Sequence, residues 1–198
     1  MGTRNLTMVI NKKGKTKIAQ YGQWDGYPGG QGKTSLEFLK TQNLNNFQKQ
    51  IKKCFFYKEV DLPENATIDE YPQLNRDHGA SVLSIVNGIS DKLGLKDSSD
   101  FAYDSLFCEW VYIIDFSKNT FEIYTGFQQS KLDKNQRFYQ ETPNDSGYYG
   151  VKMIDSYELD NLPDVDEFIY NFTDEGFEKR QREKKLNRIL QCKEQLTN

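Results

Sequence analysis

The sequence predicts an α+β fold with a mainly antiparallel sheet of hairpins and flanking helices. Two observations carry that reading. Alternating apolar segments come in pairs joined by short polar turns, and helix-period patterns lie between and after them. At 198 residues the chain can bury a full core. Thirteen Phe and twelve Tyr supply much of the apolar area for it. The simplest organisation is a single α+β domain over 1–198, with 174–198 a charged C-terminal helix.

In chain order, Leu6, Met8 and Ile10 alternate with Asn5 and Thr7 as a strand, and the polar run NKKGK follows as a turn. Ile18 and Gln20 alternate with Ala19 and Tyr21, so residues 5–21 read as a hairpin. Leu36, Leu39, Phe47 and Ile51 fall at roughly helical spacing with a break near Asn43–Asn46, which predicts two short helices. Residues 59–76 look irregular. From Asp77 a helix is expected, with Val82, Val86, Ile89 and Leu93 on one face and Gly94 as its stop. FCEWVYIIDF and TFEIYTGF flank the turn SKN and predict an antiparallel hairpin over about 107–127. Residues 128–147 read as a polar, mobile excursion, and YYGVKMIDSYEL as another strand. Pro163-Asp164 opens a helix whose Val165, Phe168, Ile169 and Phe172 share a face. The last stretch, EKRQREKKLNRILQCKEQL, is strongly helical with a narrow apolar stripe. It reads as a solvated helix or as a surface for a protein partner or homo-oligomer.

Composition narrows the function classes. A net charge of −3 gives no global attraction for nucleic acid or an acidic membrane, so neither partner is expected. Mean hydropathy is −0.80 and no long apolar run is present, which excludes a membrane span. The first fifteen residues carry no apolar signal region. Cys54, Cys108 and Cys192 are far apart and His78 is the single histidine, so no zinc site is indicated. A reducing cytoplasm fits, and no metal or cofactor is expected.

The stretch from Gln20 to Thr34, QYGQWDGYPGGQGKT, is the candidate site. It holds five glycines, three aromatics and three glutamines. Such composition marks backbone in unusual conformations that displays polar and aromatic groups. Trp24, Tyr21 and Tyr27 could stack on a flat ring, or simply pack in the core. Asp25 could orient a ligand, act as a base, or cap its own turn. Gln23 and Gln31 would supply hydrogen bonds. Glu109 shares a strand face with Val111 and Ile113, where an acid must be paired or functional, and Arg4 is its candidate partner. Tyr112 completes the set. His78 reads as structural.

The fragment Gly32-Lys33-Thr34 is a near miss to a phosphate-binding loop. That loop needs a glycine five residues before Gly32, where Tyr27 stands, and Pro28 removes one of the backbone amides. Asp115 accordingly reads as an end-of-strand residue near a turn.

The segments GTRNLT (Gly2 to Thr7), AQYGQWDGYPGGQG (Ala19 to Gly32), DSLFCEWVYIIDF (Asp104 to Phe116), EIYTGF (Glu122 to Phe127) and LDNLP (Leu159 to Pro163) resemble a largely uncharacterised family found in bacteria, phages and fungi. That resemblance implies no activity. The layout of strand, turn, strand and Asp-bearing loop is also similar to the start of N-terminal-nucleophile hydrolases such as the penicillin V acylases. This second likeness implies an αββα sandwich and a terminal Cys, Ser or Thr nucleophile. Here Thr3 stands one residue short of the terminus that removal of Met1 would leave.

Taken together, the sequence points to a non-enzymatic binder of a small polar, nucleotide-like ligand, with a phage-encoded origin as one setting. A hydrolase using Thr3 or Asp25, and an interaction module using the C-terminal helix, are the alternatives.

Overall fold

The structure, a computed structural model, describes residues 2–57 and 75–176, with 178, 179 and 182 beyond them. Most of the irregular stretch expected over 59–76, most of the charged helix expected over 174–198, and Cys192 lie outside the described residues. Among the described residues no helix is long and apolar enough to cross a membrane.

Strands β1 (Asn5–Ile10) and β2 (Thr16–Gly22) form the first hairpin. Its turn is held by Asn11, whose Oδ1 accepts the backbone N–H groups of Lys13 and Lys15 at 2.9 and 3.0 Å. Gly14 takes the left-handed conformation the turn needs, with φ +73°. After the glycine-rich loop come α1 (Lys33–Thr41) and α2 (Leu44–Gln50), the two short helices expected. Asn43 caps α2, its side chain accepting the Asn46 N–H at 3.0 Å.

The next helix, α3, departs from expectation. After one 3₁₀ turn at Gly79–Ser81 it covers only Val82–Asn87, and Gly88 ends it by donating to the carbonyls of Ser84 and Ile85. Val82 and Val86 are buried on it as the spacing implied. Leu93, however, belongs to a strand, β4 (Leu93–Leu95), which pairs in parallel with β3 (Cys54–Phe56). A helical period running past a glycine was met by chance, and the ladder with β3 decides the outcome.

Strands β5 (Trp110–Asp115), β6 (Thr120–Thr125) and β7 (Lys152–Glu158) complete a five-stranded sheet in the order β2-β1-β5-β6-β7. Three of its pairings are antiparallel, and the central one, β1 with β5, is parallel. The α+β class stands, with a sheet that is mixed and open. The N-terminal-nucleophile-like sandwich needs two stacked sheets. The described residues form one large sheet and a two-stranded ribbon instead.

Both central strands are buried on both faces. Alternation puts Leu6, Met8, Val111, Ile113 and Tyr124 on one face, in a cluster completed by Ala102, Phe138 and Val151. The other face carries Val9, Tyr112, Ile114, Phe121 and Ile123, all buried. The segment 128–147, expected as a polar excursion, is irregular but anchored. Leu132 and Phe138 are buried, and Arg137 reaches into the sheet.

The chain divides into two compact units, Met1–Leu162 and Pro163–Asn198. The second contains α4 (Val165–Asn171), which Asp164 caps by accepting the Asp166 N–H at 2.9 Å. Within it Phe168 and Phe172 meet edge to face, their centroids 5.0 Å apart.

Candidate functional site

One end of the main sheet gathers the candidate residues. There the end of β2 pairs with the start of β1 (Gly22 with Asn5), Asn5 pairs with Trp110, and Trp110 pairs with Thr125. The glycine-rich loop leaves from this end, and Arg4 and Glu109 sit immediately before their strands.

The loop is built inward before it displays anything outward. Gly26 donates to the Thr3 carbonyl at 2.9 Å, and its own carbonyl accepts the buried Tyr112 hydroxyl at 2.8 Å. Burial pushes the Tyr112 phenol well above its ordinary value, so it remains a donor. A single π-helical turn over Pro28–Gly32 then runs straight into α1. Gly32 is required there, since a Cβ would lie 2.8 Å from the Tyr112 ring.

Residues 75–80 close the loop from the other side. Gln31 bridges the two segments, donating to the Trp24 carbonyl at 3.2 Å and accepting the Ala80 N–H at 2.7 Å. Gln23 Oε1 accepts both the Tyr21 hydroxyl, at 2.6 Å, and the Arg76 guanidinium. The Trp24 indole N–H donates to Asp77 at 2.8 Å, and Gly2 packs so closely on the ring that no Cβ would fit.

What remains outward is specific. Trp24 is 49% exposed and Tyr27 47%, with Asp25 exposed between them. Asp25 holds φ +53°, a conformation aspartate tolerates, and its carbonyl accepts the Gln31 N–H at 2.8 Å. No described group pairs with its carboxylate. Tyr21, by contrast, packs edge-on against Phe101 at 5.0 Å and serves the interior. Tyr112 is likewise a support beneath the loop, and Gln23 and Gln31 are spent on holding it.

Arg4 does meet Glu109. Its Nε stands 3.5 Å from Glu109 Oε1, and its backbone N–H donates to the same oxygen at 3.1 Å. Lys33 pairs with Glu37 at 3.7 Å on the surface of α1. His78 precedes the 3₁₀ turn, and its carbonyl accepts the Ser81 N–H at 2.9 Å.

Sequence reasoning missed two residues at this end. Phe107 lies under the Arg4 guanidinium at 4.9 Å and is 44% exposed. Phe127 is 56% exposed and holds φ +59°. Both had been assigned to strands. Only the dipeptide Gly126-Phe127 hinted otherwise, and Gly126 indeed crosses the Cys108 carbonyl too closely for any Cβ.

Comparison with known proteins finds no matching family model, curated protein or solved structure.

Two exposed rings and an exposed carboxylate stand on a braced loop, and the Arg4–Glu109 pair lies at the same end of the sheet. Among the described residues no group of three or more His, Cys, Asp and Glu side chains is placed to hold a metal.

Proposed function

We propose that this protein is a non-enzymatic binding module for a small polar ligand with a flat, nucleotide-like ring. The ring would stack on Trp24 and Tyr27, while Asp25 and Arg4 would meet its polar groups. One observation carries the reading. Two large aromatics stand about half exposed on a loop whose amide side chains and backbone are bonded inward. A loop already braced, with the Trp24 ring held by Asp77, loses little freedom when a ligand arrives, which favours affinity. Membership of the family bearing the QYGQWDGYP pattern, and a cytoplasmic setting, belong to the same proposal. The latter draws support from two buried free thiols, Cys54 and Cys108.

The test is a thermal-shift screen against nucleotides, dinucleotides, amino acids and acyl amides, with Trp24→Ala in parallel. A ligand at ~100 times its dissociation constant adds about 2.7 kcal/mol of stability. We expect one class to raise the melting temperature of the parent and not of Trp24→Ala. A shift that survives Trp24→Ala, or none for any class, rejects the site.

A further inference from the structure

At the opposite end of the first hairpin, a cavity of about 650 Å³ opens between the β1–β2 turn and α2. Its chemistry is one-sided. Lys12 and Lys13 come from the turn, Lys17 from β2, Lys49 from α2 and Lys52 from the turn that follows it. No carboxylate is among the residues that line it. Asn45 stands three and four residues before Gln48 and Lys49, so these lining residues share one side of α2.

Elsewhere lysines find acids: Lys33 with Glu37, Lys118 with Glu122, and Lys131 with Glu141. Lys12, Lys13, Lys49 and Lys52 have no such partner among the described residues. Lys17 is aimed by a different group, its ammonium donating to the Cys54 carbonyl. In a chain of net charge −3, five lysines line one concavity, and an anion there would relieve the repulsion among them.

We infer that this cavity binds a small molecule carrying two or more phosphate groups. Ammonium groups recognise phosphate as point charges without demanding a planar fork, which suits a lysine-only set. The volume lies within the usual range for small-ligand sites. Gln48 adds a neutral hydrogen-bonding group. No aromatic ring lines the cavity, so a nucleic-acid strand would find no stacking platform there. This site is separate from the aromatic loop and does not depend on what that loop binds. Nucleoside triphosphates, sugar bisphosphates and inorganic polyphosphate share the chemistry.

Isothermal titration of the full chain at 150 mM KCl should use three probes, inorganic tripolyphosphate, a nucleoside triphosphate and a hexose bisphosphate, with thymidine oligonucleotides of increasing length for comparison. The expected result is saturable 1:1 binding of at least one probe. That binding weakens at least tenfold in Lys49→Ala/Lys52→Ala and again in Lys13→Gln on the turn. It is unchanged in Trp24→Ala and in the exposed control Lys92→Ala/Lys134→Ala. A circular-dichroism melt establishes that each variant is folded. Three outcomes overturn the inference. They are no saturation by any probe, equal weakening in the control pair, and tighter binding of thymidine oligonucleotides that strengthens with their length.

Discussion

Phe127 is where the residue scale is most informative. A bulky side chain at φ +59° costs about 1–2 kcal/mol over an ordinary conformation, and more than half of this ring gains nothing from burial. The position is fixed by its N–H, which donates to the Ser105 carbonyl at 2.6 Å, and by Gln128, whose N–H donates to Ser105 Oγ at 2.9 Å. Phe127→Gly is therefore expected to stabilise the protein by about 1 kcal/mol in urea unfolding, and a loss of stability would contradict the strain. If the aromatic end is a recognition surface, the same variant binds less well, the usual trade at such sites. Tyr112 gives the opposite case. Tyr112→Phe leaves the Gly26 carbonyl without its buried donor and should cost about 1–2 kcal/mol, read from the same unfolding curves. The sequence marked Trp24, Asp25 and Tyr27 as candidates because a loop has no packing need for such residues, while core packing or turn capping stayed open until their exposure was seen. It could not separate Tyr21 and Tyr112, whose rings turn inward, since ring direction depends on neighbours such as Phe101 that are distant in the chain.

At the scale of elements, the segment between β6 and β7 is tied electrostatically to the sheet by one arginine. Arg137 meets Asp115 at 2.6 Å and Glu122 at 2.9 Å, both carboxylates being almost fully buried on the β5–β6 hairpin. Tyr124 donates to Glu122 at 2.6 Å. Burial alone would raise the Asp115 carboxyl, but hydrogen bonds from Ser117 and Arg137 outweigh it and hold the group below its ordinary 3.8. The unfolded chain then binds more protons in that region. The contribution is present in full above pH 3.8 and is lost as pH falls from there through the lower folded value. Arg137→Met should cost about 3 kcal/mol at pH 7, because the two buried carboxylates lose the cation they share and only the exposed Lys118, 3.4 Å from Glu122, remains. Burial then acts on Asp115 without the opposing Arg137 hydrogen bond and raises its carboxyl, so the deficit should shrink on acidification toward pH 5. A deficit independent of pH would mean that the arginine acts by packing alone. Most strands were legible, because alternation is a local signal that a half-buried ladder must leave. The anchoring of 128–147 was not, because a polar run with a single useful arginine looks like any solvated loop. The β1–β5 pairing was hidden for a related reason: parallel neighbours share no turn.

For the whole molecule, the boundary at Leu162 and Pro163 makes a direct statement about autonomy. The sheet, both cores and the candidate sites belong to the first unit. A fragment ending at residue 162 is expected to unfold in one cooperative transition and to keep the lysine-cavity titration, whereas a broad, non-cooperative melt would show that the second unit is needed. The parallel pair at the centre also has a temporal meaning. Asn5 cannot meet Trp110 until about a hundred further residues exist. At synthesis rates of roughly 5–20 residues per second, the inner edge of the first hairpin waits on the order of 5–20 s for its neighbour. During that interval an apolar ladder of Leu6, Met8 and Ile10 stands open to any other extended chain. A nascent copy on a crowded ribosome is thus at greater risk than a finished one, and yield should respond to translation speed and temperature before it responds to equilibrium stability.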